Sequence, residues 1–557
     1  MYLLSRHCPE VKHWLENTRL RPYHVSYLSP KSQNEFIDIV AKEVRNKVIS
    51  DVKQAGMFSV MADTTPDVSH KDRLALACRY VNKSGEPTER LISLGEAKDK
   101  RGEGGATEII ETLLKHGTST DNLCFQSYDY TAAMSGKFNG VQRKLQDKLG
   151  KSVPYIPCLA HRTNTAVEHS CNASPIMKEL FNVLEEVYVF FTSSTKRSGS
   201  LDECIKEFAL DNTLQLRNLS KTRWTARAES IRAVWSSYDA IRKSLEDLEK
   251  SGDVKTKTSA TGLLMKISRL DFITAIMFGK NVMTKTQRLA ECLQSEELNV
   301  VDALAIMSGT VESLKQLNSN TEGLNGEIES AVKFATNRGL DPTSDFQRYH
   351  RRRRPPARLD DNAETSASLD LLTFYRKEFK AVLDTQISFL SDVQSNCTAT
   401  IKPLVDCLSF EAAESPTAED FHALASFFPE SLRPDPMTLM GEIDVFKAFA
   451  KTSHTDRDFA DMREVGKFAE DNRSAFPLTA RAYRLALTAP VTVAKGERTF
   501  SKLKLVKTLN RSKMLDERLE NLMLMACEKD ITDEIKVEKF ALTWATLKQR
   551  RILISSK

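Results

Sequence analysis

The sequence predicts a mixed α/β sheet domain joined to a long all-α segment. Two stretches, Phe58–Asp67 and Leu123–Asp129, are short apolar runs bounded by turn residues, a pattern that is typical of buried strands. After about residue 175, apolar residues recur at helical spacing for roughly 300 residues, and strand-like alternation is scarce. We therefore expect a sheet core followed by a large helical block.

Composition bounds the class of protein. A chain of 557 residues predicts two to four units, and 41% hydrophobic content is enough to build cores. The net charge of +5 is too small to indicate a nucleic-acid partner by itself. Ten cysteines without regular spacing indicate reduced intracellular thiols, and no apolar run approaches the ~18 residues of a membrane span. We expect a cytosolic or nuclear protein that uses no membrane and no small-molecule substrate.

The elements follow in order along the chain. A helical segment occupies 1–55, and a sheet region at 56–175 contains three strands in a meander, two strand–helix crossovers and about five strands in all. Its last predicted strand is Val153–Cys158. An all-helical insertion is predicted at 176–474, and a final block at 475–557.

Two carboxylates stand at the carboxyl ends of the predicted strands. Asp63 ends the first apolar run and Asp129 the second, and ligands of open α/β sheets gather at such ends. Mg²⁺ is commonly held by one or two carboxylates. The alternative is that each Asp is an ordinary loop residue that ends a strand.

Five motifs in order carry a family resemblance. They are FSVMADTTPDVSHKDRLALACRY at 58–80, FQSYDYTAAMSG at 125–136, CLAHRTN at 158–164, TRW at 222–224 and APVTVAKGERTFS at 489–501. Together they resemble the hobo/Activator (hAT) superfamily of DNA transposases, especially the branch of zinc-finger MYM-type and other transposase-derived proteins. The resemblance covers most of the chain.

The resemblance implies a ribonuclease H-like fold that is interrupted by a large helical insertion. Asp63, Asp129 and Glu497 match the three acids of a DDE triad, which would hold two Mg²⁺ (or Mn²⁺) ions for DNA cleavage and strand transfer. From the residues alone, Glu497 is better explained as a carboxylate that stabilises a helix N-terminus. A catalytically inactive, domesticated nuclear protein that binds DNA or chromatin is the alternative function. A hydrolase of RNA–DNA hybrids is a third.

Several residues are DNA-binding candidates. Arg223 and Trp224 match the family's Arg-Trp pair, whose Trp stacks on a flipped base, although Trp224 also suits the start of a helix. Cys158 and His161 have a Cys-x2-His spacing that suggests zinc, but no partner pair follows at finger spacing, and in the family this pair looks structural or DNA-facing.

Two basic clusters complete the DNA-binding prediction. The first runs over 495–513, and its members are Lys495, Arg498, Lys502, Lys504, Lys507, Arg511 and Lys513. The second is Arg351, Arg352, Arg353 and Arg354, which suits DNA phosphates, a nuclear localisation signal or a solvated loop.

The C-terminal helix falls where the family dimerises. Leu515, Leu519 and Leu522 line one face of it, and they suit either a homodimer (or higher oligomer) interface or the protein core. Family members usually carry an N-terminal zinc finger, and we expect this chain to be a fragment or to have lost that finger.

Overall fold

The computed structural model describes residues 6, 8–17, 29–208, 216, 224–350, 370–410, 415–453 and 461–548. Arg223 and Arg351–Arg354 lie outside the described residues. The chain divides into two compact units. The sheet unit comprises Met1–Cys158 and Thr400–Lys557, and the helical unit comprises Leu159–Ala399. In the part that the structure describes, no helix has the length and apolar character needed to cross a membrane.

The sheet unit is built on four strands. These are β1 (Phe58–Pro66), β2 (Asp72–Val81), β3 (Pro87–Glu96) and β4 (Leu123–Tyr128), in the spatial order β3-β2-β1-β4. β1 pairs antiparallel with β2 and parallel with β4, so the sheet is mixed, as the sequence predicts. The crossover to β4 runs through a helix because parallel neighbours cannot be joined by a tight turn.

The predicted fifth strand does not form. Residues 153–158 run beside β4 and exchange backbone hydrogen bonds with Gln126, but they form a single isolated bridge, between Gln126 and Tyr155. Pro154 and Pro157 lack the backbone N–H that a continuous ladder needs. The expectation of about five strands is corrected to four among the described residues.

Several helices precede the helical unit in the chain. They are α1 (Pro9–Glu16), α2 (Pro30–Ala55), α3 (Gly102–Lys115), α4 (Ala132–Ser135) and α5 (Val141–Leu149). Side chains of α2, α3 and α5 share one apolar core with the strands, because each helix presents a stripe of buried residues, among them Val44, Val48, Ile109, Leu113 and Leu145.

The helical unit has its own core, which includes the stacked rings of Phe278 and Phe379 at 3.8 Å between centroids. Its helices are α6 (Leu159–Asn172), α7 (Pro175–Thr192), α8 (Thr195–Glu207), α9 (Trp224–Ser236), α10 (Tyr238–Ser251), α11 (Val254–Ile267), α12 (Leu270–Cys292), α13 (Val300–Ser319), α14 (Thr321–Thr336), α15 (Pro342–Tyr349) and α16, which extends from Leu371 to Leu408. The predicted large helical insertion is thus confirmed as a feature of the fold.

The chain returns to the sheet unit near residue 400, earlier than the predicted boundary at 474. Helical periodicity continues across this point, so periodicity cannot reveal which core a helix joins. The returning helices are α17 (Ala418–Ser426), α18 (Pro436–Ser453), α19 (Met462–Asp471), α20 (Pro477–Thr488), α21 (Ala494–Val506), α22 (Asp516–Cys527), α23 (Lys529–Asp533) and α24 (Val537–Thr546).

Candidate functional site

The carboxyl ends of β1 and β4 bring two acids side by side. The two strands run parallel with Ala62 opposite Tyr128, so Asp63 and Asp129 follow on neighbouring strands at the same end of the sheet. Such strands lie about 4.8 Å apart. Asp129 is held by Thr131, whose hydroxyl and backbone N–H donate to its Oδ1 at 2.8 and 3.3 Å. The Asp63 carboxylate accepts from the N–H of Thr64 at 2.9 Å.

Glu497 reaches this edge from a segment more than 400 residues further along the chain than Asp63. It stands in the first turn of α21, directly after Gly496. Gly496 packs against Asp63 so tightly that a Cβ at this position would lie 2.7 Å from the Asp63 Cβ and 3.3 Å from its Oδ2. The first turn of α21 is thus fixed against the strand that carries the first acid.

The three carboxyl groups share one electrostatic environment. Burial, and then the negative charges of Asp129 and Glu497, raise the pKa of Asp63 to about 7. The hydrogen bond from Thr64 opposes this rise because it favours the charged carboxylate. The excess negative charge at this edge is a feature that a divalent cation would relieve.

The donor set suits a hard cation, because Mg²⁺ and Mn²⁺ prefer carboxylate oxygens. In the described ranges, however, no three His, Cys, Asp or Glu side chains are already arranged as a metal-ligand group. The convergence of the acids is therefore a property of the fold, whereas a metal site at Asp63, Asp129 and Glu497 stays a prediction.

Three buried carboxylates fasten α21 and the loop after it to the unit. The first is Glu528, which is fully buried at the end of α22. It accepts from the Lys495 ammonium at 2.9 Å, from Arg90 at 2.9 Å and from the backbone N–H of Leu91 at 2.8 Å. Lys495 is only 7% exposed. Its predicted contact with DNA is corrected, since its charge is engaged inside the protein.

The second carboxylate is Glu89 of β3. Its two oxygens accept from Arg79 at 3.0 Å and from Arg498 at 3.1 Å. Arg79 also donates from its Nε to the backbone oxygen of Leu487 at 3.0 Å and is completely buried. Arg498, the residue after Glu497, is thereby tied to the sheet, and its predicted role at DNA phosphates competes with this ion pair.

The third carboxylate is Asp67, just after β1. It accepts from Lys507 at 2.6 Å and from Arg73 at 2.7 Å, and Arg73 also pairs with Asp516 at 2.7 Å. Burial by itself would raise the pKa of Asp67. The hydrogen bonds from Lys507 and Arg73 outweigh burial and hold this pKa well below its usual range. Lys507 is 2% exposed and is unavailable to a ligand.

The remaining members of the first basic cluster divide into two groups. Lys502 donates to the backbone oxygen of Ala526 at 2.7 Å, so it caps a helix end as well as carrying charge. Lys504, Arg511 and Lys513 are exposed. These three cations are the ones that the fold leaves facing solvent in this segment.

The Cys-x2-His motif is split between the two units. Cys158 is buried in the sheet unit, where its sulfur accepts a hydrogen bond at 3.3 Å from the N–H of Val493, two residues before Lys495. Its predicted DNA-facing role is corrected, because a buried thiol cannot meet DNA. His161 lies on α6 and is partly exposed. Across the ranges given above, no set of three metal-binding side chains includes either residue.

The arginine and tryptophan predictions fall at the limits of the described chain. Trp224 is the first residue of α9, the helix-start position that the sequence alternative favours. Arg223 and the run Arg351–Arg354 lie outside the described residues. Their proposed DNA contacts stay predictions.

The leucines of α22 separate into different environments. Leu519 is fully buried in the core of the sheet unit, whereas Leu515 is 74% exposed and Leu522 is partly exposed. Leu519 is therefore a core residue and its predicted dimer contact is corrected. Two leucines that the sequence reasoning did not select, Leu505 and Leu509, are each 78% exposed.

Sequence reasoning also missed Glu89, Glu528, Asp67 and Gly496. The two glutamates look like ordinary charged surface residues, and no local pattern distinguishes them. Asp67 offered a signal, since it lies in the Thr64-Thr65-Pro66-Asp67 run beside the first acid. Gly496 offered another, because a glycine directly before a proposed catalytic residue often marks a close backbone approach.

Family models match two separate parts of the chain, and both parts lie in the sheet unit. A family model described as the ZMYM1/FAM200 RNase-like domain matches residues 3–140, which include Asp63 and Asp129. A model of the hAT family C-terminal dimerisation region matches residues 442–531, which include Glu497. The predicted resemblance to the hAT superfamily and the ribonuclease H-like fold are confirmed.

Two longer proteins are similar to most of this chain. The human and mouse proteins named "52 kDa repressor of the inhibitor of the protein kinase" are each 21% identical to this chain, over 534 and 528 residues. The alignments cover 91% of this chain, and 66% of the human and 67% of the mouse protein. This chain thus spans about two thirds of the length of these relatives.

Proposed function

We propose that this relative of the hAT transposases, with its RNase-like domain and C-terminal dimerisation region, is a transposase-derived nuclear protein that self-associates and binds DNA or chromatin as a regulator. The observation that carries the proposal is the match of the dimerisation region to residues 442–531. The two relatives are named as repressors, which supports a regulatory rather than a mobile role.

Self-association has a candidate surface within that region. Leu505, Leu509 and Leu515 expose 78%, 78% and 74% of their area, and they lie on the last turn of α21 and the segment that joins it to α22. Burying a leucine stabilises by about 1.5–3 kcal/mol, so three such side chains contribute substantially to an interface. A second copy of the chain is the partner that the dimerisation region implies.

DNA binding would use the exposed cations of the same segment. Lys504, Arg511 and Lys513 face solvent. Lys495 and Lys507, in contrast, form ion pairs with buried carboxylates. The test is fluorescence anisotropy with a duplex of random sequence over a range of salt concentrations. Replacing the three exposed cations by Ala should reduce the salt slope by up to about 3, because each phosphate contact contributes about 0.9.

The matched control replaces three exposed lysines of the same unit, Lys31, Lys98 and Lys137, by Ala. This control keeps the net charge change and leaves the 504–513 segment intact. Equal loss of DNA affinity in both triple variants would contradict the assignment to this segment. Absence of DNA binding by the unaltered protein would remove the DNA part of the proposal and leave self-association standing.

Divalent-cation-dependent DNA cleavage is the second candidate function, and the convergence of the acids favours it. Asp63, Asp129 and Glu497 would hold the metal ions, which when bound would activate a nucleophile and stabilise the leaving oxygen at phosphorus. The protein's own contribution is to fix the acids: strand register places Asp63 beside Asp129, and the Gly496 contact holds the first turn of α21.

A nicking assay distinguishes the two functions. Supercoiled plasmid is incubated with the protein and Mg²⁺ or Mn²⁺, with Asp129→Asn as the paired variant. Nicking that requires both the metal and Asp129 would support catalysis. Equal nicking by both proteins would indicate a contaminating nuclease, and absence of nicking with intact DNA binding would support the regulatory function.

A further inference from the structure

We propose that the sheet unit contains a second binding site, a polar cavity that accepts a small ligand bearing a phosphate group. The cavity has a volume of about 620 Å³ and is lined by parts of α2, the β2–β3 hairpin, the connection between α19 and α20, and α20 itself. This size lies within the usual range of small-molecule sites, about 300–1,000 Å³.

The cavity lies away from the acids described above. Ser59 at the start of β1 pairs with Arg79, which places Tyr80 and Val81 of the cavity wall at the amino end of β1. Asp63 lies further along β1, toward the opposite end of the sheet. A ligand in the cavity would therefore not depend on the carboxylate edge or on metal binding there.

The wall of the cavity is rich in cationic donors. Asp51 is the acid among the lining residues, and uncharged polar groups come from Gln54, Asn82, Ser84 and Thr88. Five cations line the cavity, and they come from four different parts of the fold. They are Lys47, Lys83, Arg90, Arg473 and Arg484. The positive charge of the cavity is therefore a property of the folded unit.

Ion pairs fix this wall and leave it with an excess of donors. Arg473 and Arg484 share a single oxygen of Glu470, at 3.1 and 3.2 Å. Arg484 also donates to the backbone oxygens of Val81 and Asn82, which holds its guanidinium at the hairpin. Two guanidinium groups on one carboxylate oxygen retain N–H groups and positive charge that are not neutralised.

The other three cations of the cavity wall differ in their ion pairs. Arg90 pairs with Glu528 and Asp530, and Lys47 pairs with Asp51 at 2.7 Å. Lys83 is exposed at the tip of the hairpin, and none of the residues in the described ranges forms an ion pair with it.

The five lining cations face four carboxylates when Glu470, Glu528 and Asp530 are counted beside Asp51, and Glu528 also pairs with Lys495. A doubly or triply charged phosphate group would satisfy the remaining donors, since guanidinium forks and ammonium groups are the standard phosphate ligands in proteins.

Isothermal titration calorimetry with sodium tripolyphosphate at fixed ionic strength tests the site on the full chain. The paired variant is Lys83→Glu with Arg473→Glu, two exposed side chains whose reversal the fold should tolerate. The control is Lys31→Glu with Lys98→Glu, which changes the net charge equally outside the cavity. We expect the cavity variant to bind at least tenfold more weakly and the control to bind within about twofold of the unaltered protein.

Each other outcome overturns the proposal. Equal weakening by both double variants would show a general charge effect, and undetectable binding by the unaltered protein would remove the site. Displacement of tripolyphosphate by a short DNA duplex at equal phosphate concentration would reassign the cavity to a nucleic-acid backbone. Circular dichroism of both double variants checks that a loss of binding does not reflect a loss of fold.

Discussion

Gly496 lies against Asp63 at the point where two segments distant in sequence meet, and a Cβ on Gly496 would come within 2.7 Å of the Asp63 Cβ. Real Cβ atoms do not approach so closely, and Asp63 cannot retreat because its backbone pairs with Ala75 of β2, while that of the preceding Ala62 pairs with Tyr128 of β4. The absence of a side chain at 496 is therefore what allows Glu497 to stand next to the other two acids.

We predict that Gly496→Ala destabilises the protein by about 1–3 kcal/mol, because it forces the start of α21 away from β1. Urea unfolding measures the loss. Gly441→Ala is the control: Gly441 lies within α18 of the same unit with open space around it, so the alanine should stabilise by about 0.5–1 kcal/mol. Similar effects of the two substitutions would contradict the close contact.

We predict that, with EDTA present, stability falls as the pH rises from about 4 to about 7. Burial and the charges of Asp129 and Glu497 raise the pKa of Asp63 to about 7, so in this window the folded state holds a proton that the unfolded chain has released. The contribution of Asp63 is fully present below the unfolded pKa, near 4, and is lost as the pH passes the folded value. Asp63→Asn should flatten this part of the stability–pH curve, measured by urea unfolding.

Metal binding at these acids would change the pH dependence of stability. The contribution of Asp63 is at most a few kcal/mol, since one pKa unit corresponds to about 1.4 kcal/mol. If the acids bind a divalent cation, millimolar Mn²⁺ should stabilise the unaltered protein more at pH 7.5 than at pH 5, because protons compete with the metal. Equal stabilisation of Asp63→Asn by Mn²⁺ would show that the ion binds elsewhere.

We predict that Glu89→Gln costs about 3 kcal/mol or more, because it leaves the buried charge of Arg79 without its partner. The readout is again urea unfolding. The surface pair of Lys100 and Asp72 provides the comparison, as the Lys100 side chain is 76% exposed and Asp72→Asn should cost less than about 1 kcal/mol. A cost for Glu89→Gln as small as that of Asp72→Asn would mean that the buried pair contributes little.

We predict that replacing Leu505, Leu509 and Leu515 together by Glu converts the protein to a monomer that remains folded, because all three side chains are exposed on the single chain. Light scattering coupled to size-exclusion chromatography measures the mass. Leu519→Ala should do the reverse, keeping the oligomer while costing about 2–5 kcal/mol, since Leu519 is fully buried. Leu114→Glu, on an exposed site of α3, controls for the added charge. A triple variant that stays oligomeric would place the interface elsewhere.

Much of the candidate site can be predicted from short stretches of the sequence. Asp63 and Asp129 each end an apolar run that folds as predicted, because a short run of buried residues closed by polar ones has few other ways to pack. The order of the motifs carried the resemblance to the hAT superfamily, whereas the strand and helix patterns predicted the mixed sheet and the long helical block. Glu497 entered through the resemblance, since its own pattern is also that of a helix N-terminus.

Long-range contacts decided the rest. Seven cations at 495–513 look alike in the sequence, yet Lys507 is buried on Asp67, 440 positions away, whereas Lys504 faces solvent. Leu515 and Leu519 are four residues apart, at helical spacing, yet Leu515 is exposed and Leu519 is buried in the core. The sequence alone predicted the four strands that form, the acids Asp63 and Asp129, and the resemblance to the hAT superfamily. The tertiary structure decided which charges and leucines remain available to a partner, because burial and ion pairing depend on residues that meet only after the chain has folded.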